Sequence, residues 1–357
     1  YASHAPFGGN VVGIRAAALK YFNRRPEQLS WAEAALLAVL PNAPALLYPG
    51  KNNTLLKQKR DGLLAKLYRE GVMSEDSYHL ALAEPLPEKK FDIPTVAPHL
   101  LAKAYREKKG KVCPTYIDGR LQKKINEIVE RHTALLSQNY IYNMAVLVAH
   151  VPTGEVRAYV GNSAPRKGSR GNDVDIVQAV RSSGSILKPA LYACMLQSGF
   201  ILPGTLVPDI PSRFGSYSPS NFNRDFKGVV PARQALAQSL NIPFVRLLKD
   251  YSYARFYDDL KQLGIRSLNR DADHYGLSLI LGGAETSLWD ICNLYGGMSA
   301  VLNHYNDRDG QYFDGEYSRL KVWEEYSGAE GQDEEEKNIS ADRSVLKASA
   351  IWQTMKA

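Results

Sequence analysis

Arg181-Ser182-Ser183-Gly184-Ser185-Ile186-Leu187-Lys188-Pro189, running on into Ala190-Leu191-Tyr192-Ala193-Cys194-Met195-Leu196, is the stretch on which the fold turns. Its apolar second half predicts a buried helix over 186–196, with an S-x-x-K pair, Ser185 and Lys188, at the start. Residues i and i+3 share a helix face, so the lysine follows the serine by one turn. A serine hydroxyl is a weak nucleophile near neutral pH and needs an adjacent base. A desolvated lysine crowded by donors can lose its proton and serve as one. Backbone N–H groups at the helix start can stabilise an oxyanion, and Gly184 permits close backbone approach. Ser185 is therefore a candidate nucleophile and Lys188 its candidate base. A simple helix N-cap is the other reading of Ser185, and the motif alone does not choose.

Context separates this match from two others, Ser318–Lys321 and Ser344–Lys347; about one or two chance matches are expected from average composition. Ser318 lies in an acidic stretch with no apolar helix behind it. Ser344 reads as an N-cap of the final helix, with Asp342 as a rival. A second element is Ser239-Leu240-Asn241, ending an amphipathic helix just before Pro243; S-x-N also occurs at Ser137–Asn139 and Ser267–Asn269. In serine acyl-enzymes of the S-x-x-K type such a loop faces the nucleophile. There Ser239 can pass a proton to the leaving group, and Asn241 can hold the lysine and a substrate amide. The third expected element, K-[ST]-G on a strand, occurs nowhere in the chain.

Working outward, helices are expected at 11–22, at 31–40 behind a Ser30/Glu33 capping box, and at 55–69 and 75–83. Pro85, Pro87, Pro94 and Pro98 punctuate an extended stretch, and Lys108–Lys111 reads as a linker and domain boundary. A helix over 119–136 leads to a hairpin, 144–151 and 155–160, turning on Pro152-Thr153-Gly154. Residues 304–343 are acidic and read as a solvated insertion, and a last helix spans 344–355.

The 357 residues are 45% hydrophobic and 23% charged, which excludes a disordered chain, a collagen-like repeat and a coiled coil. No apolar run reaches the roughly 18–20 residues of a membrane span. The net charge of +7 permits an anionic partner, but no recognition motif accompanies it, so no nucleic-acid partner is expected. Cys113, Cys194 and Cys292 match no zinc or redox spacing; the last two sit in apolar helical contexts and are expected to be buried.

The beginning of the chain, Tyr1-Ala-Ser-His-Ala-Pro-Phe-Gly-Gly-Asn10 with Gly13-Ile-Arg-Ala-Ala17, Tyr21-Phe22, Leu29-Ser30 and Glu33-Ala-Ala-Leu-Leu-Ala38, resembles the last blocks of the family 51 peptidoglycan glycosyltransferases. Arg181–Pro189, Pro219-Ser-Asn-Phe222, Ser239-Leu-Asn-Ile-Pro243 and Leu279-Ile-Leu-Gly-Gly-Ala284 are similar to the transpeptidase half of class A penicillin-binding proteins of the 1C type. The resemblance implies an α+β chain. The C-terminal part of a helical, lysozyme-like glycosyltransferase lobe (1–50) would be followed by a helical connector (51–112). A penicillin-binding, β-lactamase-like transpeptidase domain (113–357) would have a central antiparallel sheet between helices and be cut before its K-[ST]-G strand. It also implies a membrane anchor and glycosyltransferase glutamates upstream of Tyr1; Glu33 is not one of those, its context being structural. Lipid II, glycan strands, D-Ala-D-Ala stem peptides and β-lactams are the implied partners. The inner membrane, facing the periplasm, is the implied location. No cofactor is implied for the transpeptidase, and a divalent metal is allowed at the absent glycosyltransferase site. A non-enzymatic penicillin-recognising module and a D,D-carboxypeptidase or β-lactamase are the alternatives; the intact serine–lysine set and the glycosyltransferase remnant disfavour them.

Overall fold

Four α-helices make up the N-terminal unit, Tyr1–Thr95: α1 (Ile14–Phe22), α2 (Trp31–Val39), α3 (Asn53–Arg69) and α4 (Glu75–Ala83). The computed structural model describes residues 1–88, 90–92, 95–324, 339–340 and 344–357. The capping box forms as the sequence predicts: Ser30 Oγ accepts from Glu33 N at 3.1 Å, and Glu33 Oε2 accepts from Ser30 N at 2.9 Å. Arg24 Nη1 reaches the same carboxylate at 3.1 Å, so Glu33 is spent on holding the chain. Ala17, Ala18 and Tyr21 of α1 pack on Leu36, Leu37 and Leu56.

The second unit, Val96–Ala357, contains α5 (Pro98–Glu107), α6 (Gly119–Leu136), β1 (Val146–His150), β2 (Glu155–Val160), β3 (Arg181–Ser182), α7 (Lys188–Gln197), β4 (Leu206–Asp209) and β5 (Gly228–Pro231). It continues with α8 (Ala232–Ala237), α9 (Asn241–Tyr251), α10 (Tyr253–Gln262), α11 (Ala272–Tyr275), β6 (Glu285–Thr286), α12 (Leu288–Asp307), β7 (Tyr312–Phe313), β8 (Ile339–Ser340) and α13 (Ala348–Met355). The chain is α+β. Among the described residues the strands form two-stranded antiparallel ladders, β1–β2, β3–β6, β4–β5 and β7–β8. Helix α6 packs on β2 and α12 on β1; among the described residues the expected central sheet is this two-stranded hairpin, and no wider sheet forms. Its turn demands glycine: Gly154 has φ +69°, and a Cβ there would lie 2.3 Å from the Arg319 carbonyl oxygen.

The main core surrounds α7, whose Ala190–Met195 are all buried, with Phe244 and Leu248 of α9, Phe256 and Leu260 of α10, Leu294 and Met298 of α12, and Ile351 of α13. A helix apolar on every side belongs in such a place.

Several expectations change. The connector assigned to 51–112 does not stand alone: α3 packs on α2 and α4, while α5 packs on β2 in the second unit. α5 was hidden behind its proline, yet Pro98 occupies the first helical position, where no N–H is needed. Helix α7 begins at Lys188, not Ile186, because Pro189 starts the α-helical ladder late and a tighter turn precedes it. Ser344 caps nothing: its Oγ donates to Leu346 O at 2.7 Å, and α13 starts after Lys347. The rival cap Asp342 lies outside the described residues. The described part of 304–343 is not a solvated insertion, since Tyr312, Glu316 and Tyr317 are buried. Gly264 and Gly297 make room for Tyr317: a Cβ on Gly264 would lie 2.2 Å from Tyr317 O, and one on Gly297 2.5 Å from its ring. Cys194 is buried; Cys292 is only partly so.

Candidate active site

The turn that carries Ser185, the candidate nucleophile, is built on a short ladder. Arg181 and Ser182 pair with Thr286 and Glu285, Ser183 N donates to Ala284 O at 2.9 Å, and Ser182 Oγ donates to Gly282 O at 2.7 Å. From there the chain folds into α7, with Ile186 N on Ser183 O at 3.2 Å and Lys188 N on Ser185 O at 3.1 Å. That i-to-i+3 bond keeps Lys188 one turn beyond Ser185, although the α-helix itself starts at the lysine. Tyr295 OH, on α12, donates to Ile186 O at 2.7 Å and braces the turn from the other side.

Gly282 and Gly283 make this packing possible. Gly282 has φ +100°, and a Cβ on it would lie 2.9 Å from Gly184 N; a Cβ on Gly283 would lie 2.0 Å from Ser278 Oγ. Nothing in the sequence pattern assigned this pair a function. The double glycine before a β-bridge is the signal that could have marked a close backbone approach.

Lys188 is 1% exposed. Its Nζ donates to Ser239 O at 2.8 Å, Asn241 Oδ1 at 2.8 Å, Leu240 O at 3.2 Å and Ser239 Oγ at 3.3 Å. An ammonium has three protons, so these four acceptors share them. Burial in this neutral setting pushes the Lys188 pKa down to about 8. The S-x-N loop is held in a costly conformation to reach it: Ser239 has φ +50°, a left-handed geometry unusual for a residue with a Cβ. Asn241 turns its carbonyl oxygen to the lysine and donates one amide hydrogen to Ser220 O at 2.9 Å, which leaves one N–H for a ligand. The structure therefore brings Lys188, Ser239 and Asn241 into direct contact. Ser185, half-buried on the adjoining turn, has no hydrogen bond to Lys188 Nζ among the described contacts. No group of three or more His, Cys, Asp or Glu side chains among the described residues could hold a metal ion.

A lysine this deeply buried, without a carboxylate against it, gives up much of its preference for the charged state, and the serine whose proton it could take stands one turn away. That pairing, on an α+β domain with an apolar helix at its centre, is the arrangement expected of a serine acyl-enzyme with a lysine base. The chain matches the transglycosylase family over residues 1–68 and the penicillin-binding protein transpeptidase domain over residues 144–299. It is 34% identical over 295 residues to penicillin-binding protein 1C of Escherichia coli K12, covering 83% of this chain and 38% of that protein. It is 28% identical over 305 residues to penicillin-binding protein 1F of Bacillus subtilis 168, covering 80% of this chain and 41% of that protein. Among solved structures, penicillin-binding protein 1A from Haemophilus influenzae superposes with a TM-score of 0.54 at 17% identity, over 84% of this chain and 60% of that one; this likeness concerns the fold. The chain belongs to the class A penicillin-binding proteins. It spans about two fifths of the length of these two curated relatives.

Proposed function

We propose that the second unit is the D,D-transpeptidase half of a peptidoglycan synthase whose other half polymerises glycan from lipid II. The observation that carries this reading is the buried Lys188 held by Ser239 and Asn241, one turn from Ser185. Ser185 Oγ attacks the penultimate D-Ala carbonyl of a donor stem while Lys188 takes its proton. The Ser185 N–H, with a donor on a K-[ST]-G strand, holds the oxyanion. Collapse breaks the D-Ala–D-Ala amide; Ser239 relays a proton to the departing amine, and the acyl group stays on Ser185. The free N–H of Asn241 holds the donor stem. An amine of a neighbouring stem then attacks the ester, forming the cross-link and returning the proton to the lysine–serine pair. A β-lactam acylates Ser185 by the same route. The transpeptidase uses no cofactor in this scheme; a divalent metal would serve the glycosyltransferase site. The location we propose is the inner membrane with the catalytic units facing the periplasm; no described helix is long and apolar enough to cross a membrane.

In the full-length protein a fluorescent penicillin is expected to label the wild type and not the Ser185→Ala variant. Labelling that survives in that variant overturns the assignment.

A further inference from the structure

The Asn241 amide turns its oxygen to Lys188 Nζ, and the groups that hold it there lie outside the S-x-x-K and S-x-N motifs. They come from Pro219-Ser220-Asn221-Phe222. Ser220 O accepts an amide hydrogen from Asn241, so the Asn241 oxygen must face the lysine. Asn221 Oδ1 accepts two backbone N–H groups, from Asn241 at 2.9 Å and from Ile242 at 3.3 Å. These are the first two residues of α9, and its own N-cap residue, Leu240, has no side chain able to cap it. Asn221 thus caps the helix from twenty residues away.

The asparagine is anchored in turn. Its Nδ2 donates to Asp209 Oδ1 at 2.7 Å and to Asp225 O at 2.9 Å. Asp209, on β4, is 0% exposed, and its second oxygen accepts from Lys227 N at 3.0 Å. Both hydrogens and both acceptor sites of Asn221 are used, at 5% exposure. A buried polar side chain bonded at every valence is held rigidly.

We propose that Asn221, anchored by Asp209, is a positioning residue for acylation: it fixes the backbone of Asn241 so that the Asn241 side chain presents its oxygen, not its amide nitrogen, to Lys188. The idea rests on the reading of Ser185 as an acylated nucleophile. Among the described residues the polar partners of Lys188 Nζ are neutral oxygens, and the Phe244 ring lies 5.5 Å away. Loss of the Asn241 oxygen therefore removes a group that favours the ammonium.

The test uses the full-length protein and stopped-flow acylation by a fluorescent penicillin across pH. Asn221→Ala is expected to slow acylation roughly ten- to hundred-fold, the cost of unmaking buried hydrogen bonds to the site, and to move the acid limb of the profile to lower pH. Asn221→Asp sets a carboxylate against Asp209 and is expected to slow acylation at least as much. The reciprocal exchange Asp209→Asn with Asn221→Asp restores the donor–acceptor pair between the two side chains but not the bond to Asp225 O, and is expected to recover part of the rate lost in Asn221→Asp. A helix cap without influence on the lysine gives a different pattern: lower melting temperatures, an unmoved acid limb and no recovery by the exchange. That pattern, or rates within twofold of wild type, overturns the proposal while Ser185→Ala still abolishes labelling. Labelling retained in Ser185→Ala sinks the assignment beneath it instead.

Discussion

At the scale of single residues, Lys188 suits the role of base proposed for it because its surroundings disfavour its charge. Free lysine titrates near 10.4, whereas burial brings this one down to about 8. The neutral base is therefore scarce at pH 6 and predominant at pH 9. Acylation of Ser185 is expected to rise tenfold per pH unit on the acid side and to level off above about 8, with Lys188→Arg slower by roughly 10²–10⁴-fold because arginine stays protonated. A flat stopped-flow profile from pH 6 to 9 would contradict this role. The same shift acts on stability. Between about 8 and 10.4 the unfolded chain binds the extra proton, so the burden of this buried lysine is greatest below that window and is relieved as pH rises through it.

At the scale of elements, Ser185 is placed by backbone packing more than by the helix that follows it. Gly282 illustrates this. Its φ of +100° and the 2.9 Å from a would-be Cβ to Gly184 N mean that Gly282→Ala must push the β6 end of the ladder away from the Ser185 turn. A loss of about 1–3 kcal/mol of stability is expected from the forced backbone, with acylation slowed tenfold or more; unchanged denaturant midpoint and acylation rate would refute it. The contrast shows what the sequence could reveal. Ser30/Glu33, the 119–136 helix and the 155–160 strand were legible because each is specified locally, by a cap or a period. Ser185, Lys188, Ser239 and Asn241 were legible as motifs. Their mutual placement was not, since it depends on contacts between residues 51 to 53 positions apart. Pro98 concealed α5 because proline both breaks and begins helices, and only the burial of Leu100 against β2 decides which. Tyr317 was hidden for a similar reason: its pocket is made by glycines at 264 and 297, far away in sequence.

For the whole molecule, the question is what lies along β1. Among the described residues that strand is paired only with β2, which leaves one row of its N–H and C=O groups without a ladder partner. Beside it runs a cavity of about 380 Å³ lined by Leu147, Ala149, Tyr295, Gly296 and Ala300 among others. Tyr295, which lines this groove, also donates its hydroxyl to Ile186 O on the turn that carries Ser185. A strand laid against β1 would gain main-chain hydrogen bonds and cover apolar surface. In the proposed mechanism a strand paired here would be the element that supplies the second oxyanion donor. The 357 residues alone are then expected to acylate at least a hundredfold more slowly with penicillin than a chain that carries such a strand, since a missing oxyanion donor alone costs about 10²–10³. Amide hydrogens of Val146–His150 are expected to exchange faster in the shorter chain. Equal acylation rates and equal protection of β1 in the two chains would show that the edge is closed by something else, and that the serine, lysine and S-x-N loop suffice without a third element.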